Sequence, residues 1–121
     1  MLKALGDLLS ELEYLVDTVV VEGPRDVAAL RRLGYGGKID VCSRVNVSDA
    51  DLVDFIAEEA SSAVILTDFD EEGRKMNRSL KGLMEWRGVK VESGLRRQFG
   101  HMTAILGVYA IEDLDNIVER L

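Results

Sequence analysis

The sequence predicts an α/β fold, a mostly parallel four-stranded sheet flanked by helices, with amphipathic helices at the two termini. Three observations point there. The runs Val19-Val20-Val21 and Val64-Ile65-Leu66 lack polar alternation, as suits strands covered on both faces. Segments with helical apolar spacing separate them, and strands alternating with helices in this way argue for parallel crossovers. Each run also stops at an acid, Glu22 or, one residue beyond Thr67, Asp68. Open parallel sheets hold their ligands at such carboxyl ends.

The elements follow in order. Leu2, Leu5, Leu8, Leu9, Leu12, Leu15 and Val16 recur at helical spacing, which predicts an amphipathic helix from Met1 to about Val16. Thr18 to Glu22 is a β-branched strand ending in an acid, followed by Gly23-Pro24. Pro24 suits a first helical turn, and Gly34 closes the helix that spans Asp26 to Leu33. Lys38 to Cys42 is a second short strand. Ser48 with Asp51 three residues later resembles a capping box, opening a helix to about Ala60. The central strand is Ala63 to Thr67, the next helix Glu72 to Arg87 ending at Gly88, and a brief strand Val89 to Glu92 follows. Leu95 to Leu106 reads as helical despite Gly100, and Ile111 to Leu121 as a final amphipathic helix through Leu114, Ile117, Val118 and Leu121. If Glu22 and Asp68 are to meet, the first and third strands must be neighbours, with the second strand beyond the first. That order creates a switch point, where a ligand crevice is expected.

Length and composition bound the function. With 121 residues and 47% hydrophobic content, the chain suits one domain with a real core, residues 1–121. Its single cysteine, Cys42, excludes an internal disulfide, and no Cys/His cluster has zinc spacing. Asp7, Glu11 and Glu13 interrupt the apolar N-terminus, so it reads as neither signal peptide nor membrane span, and a cytoplasmic protein with no membrane contact is expected. A net charge of −7 argues against nonspecific adhesion to nucleic acid. Any such partner must use a local basic surface, a metal or another protein. Arg25, Arg31, Arg32, Arg74, Lys75, Arg78 and Lys81 all follow the two acidic strand ends, whereas Asp49, Asp51, Asp54, Glu58 and Glu59 crowd another helix. The plain alternative is that these charges only solvate helix faces.

The chemistry concentrates in Ala63 to Lys75, AVILTDFDEEGRK. Two residues apart in an extended segment, Asp68 and Asp70 would point the same way and face one cation. Mg²⁺, with Mn²⁺ as the alternative, prefers such oxygen ligands and keeps waters for a phosphate-bearing partner. The competing reading is that Asp70 caps the helix beginning near Glu72.

VVVEGPRDVAALRRLG followed by ILTDFDEEGRK resembles the two hallmark motifs of the Toprim domain, which topoisomerases, bacterial primases, OLD-family nucleases and ribosomal-RNA maturation nucleases share. The match is Glu22-Gly23 after one strand and Asp68-x-Asp70-x-x-Gly73 after another, over roughly residues 18–92. Asp26 with the following Val-Ala-Ala-Leu is most similar to the primase and RNA-maturation branches. The resemblance implies a Rossmann-like Toprim fold in which Glu22 acts as general acid/base or shares a metal and Asp68 and Asp70 bind Mg²⁺. Gly23 and Gly73 would let backbone approach a phosphate, and Arg25, Asp26, Arg74 and Lys75 complete the candidate phosphate or nucleic-acid site.

Two functional classes follow. One is a metal-dependent nuclease, with RNA placed ahead of DNA as its substrate. The other is a noncatalytic module that uses the same Mg²⁺ site to dock nucleic acid or a nucleotide within a larger complex. A protein partner could supply what the short chain lacks, and the apolar terminal helices could support a homodimer. A receiver-type domain fits less well, since a single Glu followed by Gly ends the first strand. His101 reads as structural, Met84 and Trp86 as core or interface residues, and none of Tyr14, Tyr35 and Tyr109 as a nucleophile.

Overall fold

A computed structural model describes residues 2–43 and 46–119. Helix α1 (Leu2–Leu15) leads into β1 (Thr18–Val21), α2 (Pro24–Leu33) and β2 (Ile39–Val41). Then come α3 (Asp49–Glu59), β3 (Ser62–Ile65), α4 (Glu71–Trp86), β4 (Lys90–Val91), α5 (Ser93–Leu106) and α6 (Ile111–Glu119). The predicted positions of Met1 and Leu121 lie outside the described residues.

The sheet order is β2-β1-β3-β4. All three pairings are parallel, so β1 and β3 are neighbours and β2 lies beyond β1, as a meeting of Glu22 and Asp68 requires. Alternation along each strand splits the core in two. Val19, Val21, Val64 and Leu66 pack with α1, α2, α5 and α6, while Val20, Ala63 and Ile65 pack with α3 and α4. Covering both faces removes the polar alternation that a half-exposed sheet would show. No helix among the described residues is long and apolar enough to cross a membrane.

Local signals end most elements where the sequence places them. Gly34 adopts φ +106°, a left-handed cap that a Cβ would strain, and the Ser48 hydroxyl accepts from the Asp51 N–H at 3.1 Å. Helix α6 is tied to α2 by Arg32, whose Nε donates to the buried carboxylate of Asp115 at 2.7 Å. Met84 is fully buried, as expected of a core residue, whereas Trp86 is 86% exposed and lies outside the core. Two residues apart, they stand on nearly opposite faces of α4, since two residues turn the helix by about 200°: Met84 meets the sheet, and Trp86 projects from the helix end.

Candidate functional site

The carboxyl ends of β1 and β3 bring the two acidic motifs together. Val20 pairs with Ile65 in register, and the Leu66 N–H continues the ladder by donating to the Val20 carbonyl at 2.7 Å. Two residues later the Asp68 N–H donates to Glu22 Oε1 at 3.2 Å. The Glu22 side chain thus bridges the two strand ends. Beside them opens a cleft of about 570 Å³ whose lining includes Glu22, Gly23, Arg25, Asp26, Asp68 and Glu112.

The segment after β3 is held by contacts that the sequence does not announce. The strand ends at Ile65, so Asp68 and Asp70 do not share one extended run. Asp70 is instead the N-cap of α4, its Oδ1 accepting from the Gly73 N–H at 2.7 Å. Gly73 is itself buried against the Asp68 backbone, and its carbonyl accepts from the Thr67 hydroxyl at 2.6 Å. Arg96, from α5, is buried. Its guanidinium donates to the carbonyls of Ile65 (3.0 Å), Thr67 (2.9 Å) and Asp68 (3.2 Å) and lies 4.5 Å from the centre of the Phe69 ring. The Phe69 N–H donates to the Tyr109 carbonyl at 2.7 Å, tying the same loop to the α5–α6 connection.

The other predicted residues take distinct places. Asp26 turns back on its own helix and accepts from the Gly23 N–H at 3.1 Å. Gly23 is extended (φ −147°, ψ 175°), and a Cβ there would meet only Ser43 Oγ, at 3.7 Å. The turn therefore does not itself demand glycine. Arg25 is exposed at the cleft edge, 4.0 Å from Glu112. Arg74 donates from Nε to the Asp70 carbonyl at 3.3 Å, and Lys75 pairs with Glu71 at 3.8 Å on the exposed side of α4. The N–H groups of Gly23 and Gly73 both serve carboxylate caps, so a phosphate reaching either would have to displace one.

The electrostatics are those of crowded acids. Burial, and then the carboxylates of Glu22, Asp26, Asp70 and Asp113, push Asp68 up to about 7. Burial is also the largest cause that raises Asp26, with Glu22 and Glu112 adding to it. Both groups hold their protons more tightly folded than unfolded, so ionising them costs stability. The penalty is absent below the ordinary value of 3.8 and, for Asp68, complete above about pH 7. In chelator, the melting temperature is therefore expected to fall as pH rises from about 5 to about 8, and Asp68→Asn should flatten that fall. An unchanged slope in the variant would contradict this crowding.

A model of the Toprim domain matches residues 17–93, which contain both acidic strand ends. The chain belongs to the Toprim domain family. It is 36% identical to a UPF0292 protein of Pyrococcus horikoshii over 98% of this chain and 85% of that protein. With the UPF0292 protein of Pyrococcus abyssi the identity is 34%, over 94% of this chain and 83% of that protein. Among solved structures, a protein of Aquifex aeolicus superposes with a TM-score of 0.73 over 89% of this chain and 95% of that one, at 23% identity. That likeness concerns the fold alone. Membership implies a metal-dependent, nucleic-acid-related function, and Toprim domains generally bind Mg²⁺.

The residues fit such an ion in a particular way. Glu22 and Asp68 offer hard oxygen donors at one strand edge, and the crowding of acids around Asp68 is the kind of field that a cation relieves. Among the described residues no three His, Cys, Asp or Glu side chains form a ready metal cage. Mg²⁺ commonly needs no such cage, being held by one or two carboxylates together with waters and substrate phosphates.

Proposed function

We propose that this Toprim domain performs Mg²⁺-dependent phosphodiester chemistry on nucleic acid, as a nuclease, with Glu22 and Asp68 at its centre and Mn²⁺ able to substitute. The observation that carries the reading is the bond from the Asp68 N–H to Glu22, which joins the two motif acids at the edge of adjacent strands. Asp68 and one oxygen of Glu22 would hold the ion, with Asp70 contributing through its charge and its second oxygen. The bound ion supplies charge neutralisation at the phosphate. Glu22 is the group that moves a proton, since it lines the cleft together with Asp68. Arg25, on the cleft, and Arg74, beside Asp70 in the first turn of α4, would supply phosphate contacts, whereas Asp26 acts by fixing the Gly23 turn. RNA is placed ahead of DNA on the similarity of the segment after Glu22 to the RNA-maturation branch.

A second reading rests on Asp70. With one oxygen committed to the α4 cap, the site is sparer than a three-carboxylate centre, which suits a module that docks a phosphate end through Mg²⁺ without cutting it. A cleavage assay separates the two, using structured RNA, single-stranded RNA and DNA, with Mg²⁺, Mn²⁺ or chelator. Metal-dependent cleavage that Glu22→Gln reduces by about 10²-fold or more is the expected result. Metal-dependent retention without cleavage of any substrate would favour the docking module.

A further inference from the structure

We propose that the groove between α4 and α5 carries the backbone of a single-stranded segment of nucleic acid, leading it to the acidic strand edge. The inference rests on the functional reading above and adds the path and form of the substrate. The groove encloses about 480 Å³ and is lined by Arg74, Asn77, Arg78 and Lys81 from α4 and by Arg96 and Arg97 from α5, among others. No acid stands among its lining residues, although acids outnumber bases 22 to 15 in the chain.

Its position follows from the topology. Helix α4 packs with one core and α5 with the other, so they flank opposite faces of the sheet. The edge strand between them, β4, is only two residues long. The gap above its carboxyl end is consequently open, and it adjoins the carboxyl end of β3. Arg96 joins the two places physically: it lines the groove and donates to the Asp68 carbonyl. Positions 74, 77, 78 and 81 fall on one face of α4, a polar stripe about 10 Å long at 1.5 Å per residue.

The charges in the groove are poorly compensated from within. Arg78 and Arg97 are exposed and, among the described residues, have no acidic partner within ion-pair distance. Lys81 reaches Glu85 at 3.8 Å on its own helix, and Arg74 contacts a carbonyl. Arg96 spends its donors on the carbonyls of Ile65, Thr67 and Asp68, none of which carries a compensating charge. Such a cluster favours a polyanion, and phosphates supply the missing charge. A groove with a helix on each side presents its cations along one path, which matches the backbone of one strand. Phe69 on the lining adds an apolar surface beside the cations, the combination that single-strand grooves use.

Arg78→Gln and Arg97→Gln test the path, with Lys38→Gln as an equal charge change at the opposite edge of the sheet. The probe is a labelled 12-nucleotide oligouridine, followed by fluorescence anisotropy in chelator across a salt series, with a duplex of equal length alongside. Each groove variant is expected to weaken binding several-fold at low salt and to reduce the magnitude of the log–log salt slope by about one, while Lys38→Gln leaves both near wild type. Affinities and slopes that match wild type in both groove variants, or losses no larger than that of Lys38→Gln, would overturn the inference. Equal or tighter duplex binding with the same dependence on Arg78 and Arg97 would overturn the single-strand assignment. Because the assay excludes metal and cleavage, a failed groove leaves the result for Glu22→Gln standing, and a failed Glu22 result leaves the groove measurement standing.

Discussion

Gly73→Ala is expected to destabilise the protein by about 1–3 kcal/mol or more and to remove metal-dependent activity with it. Helix propensity alone predicts the opposite, since alanine inside a helix is favoured over glycine by about 1 kcal/mol. Sterics decide the sign. A Cβ on Gly73 would lie 1.9 Å from the Asp68 carbonyl oxygen and 2.5 Å from its carbon. Both are backbone atoms, so no rotamer change relieves the clash, and the first turn of α4 must separate from the segment that carries Asp68. Gly82, on the same helix, has nothing within 4 Å of its would-be Cβ. Gly82→Ala should therefore stabilise by up to about 1 kcal/mol. Urea denaturation of the two variants gives opposite shifts if this packing is right. A Gly73→Ala protein as stable as Gly82→Ala would contradict it.

Arg96→Leu is expected to cost about 3 kcal/mol or more in stability and to weaken divalent-cation binding. The leucine retains apolar bulk but leaves three carbonyls, of Ile65, Thr67 and Asp68, without the donor that now gathers them. Each buried acceptor left unpaired costs about 1–3 kcal/mol. Arg96→Lys keeps the charge and loses the planar fork, so it should recover only part of the deficit. Arg96 is a positioning residue on this account, acting through the backbone of Asp68. Its signature is a joint loss of stability and metal affinity. An Arg96→Leu variant with unchanged metal affinity would show that the guanidinium does not hold the site.

The sequence makes the sheet order legible because the two acids have to converge, and only adjacent first and third strands allow it. Uninterrupted apolar runs likewise reveal a sheet covered on both faces. The loop after β3 was harder to read. An extended continuation through Asp70 would have aimed both aspartates at one ion, but the strand stops at Ile65 and Asp70 caps α4. A carboxylate two residues before an acidic helix start carries both meanings. Gly73 stands out in the motif as a glycine that lets backbone approach a phosphate, and the fold adds a separate reason for it, the contact with Asp68. Gly23 is extended and makes no comparable demand.

Arg96 left only a faint trace. It falls on the same stripe of α5 as Phe99 and Thr103, three and seven residues on, and both are buried. A cation on a buried stripe signals a buried partner, but the carbonyls that it meets lie about thirty residues earlier, and although they fall within the acidic motif, backbone acceptors leave no mark in the residue types. Glu112 and Asp113 read as ordinary first-turn acids of α6. They bear on Asp26 and Asp68 only because α6 packs against α2.

The most direct test of the central claim is a calorimetric titration of Mg²⁺, and in parallel Mn²⁺, into wild type, Glu22→Gln, Asp68→Asn and Asp70→Asn. Asparagine caps helices about as well as aspartate, so the last variant removes charge while keeping the α4 start. The account predicts that Asp68→Asn and Glu22→Gln each weaken binding by about tenfold or more with the fold intact, and that Asp70→Asn has the smaller effect. Affinity unchanged in both Glu22→Gln and Asp68→Asn would mean that the joined strand ends are not where the cation sits.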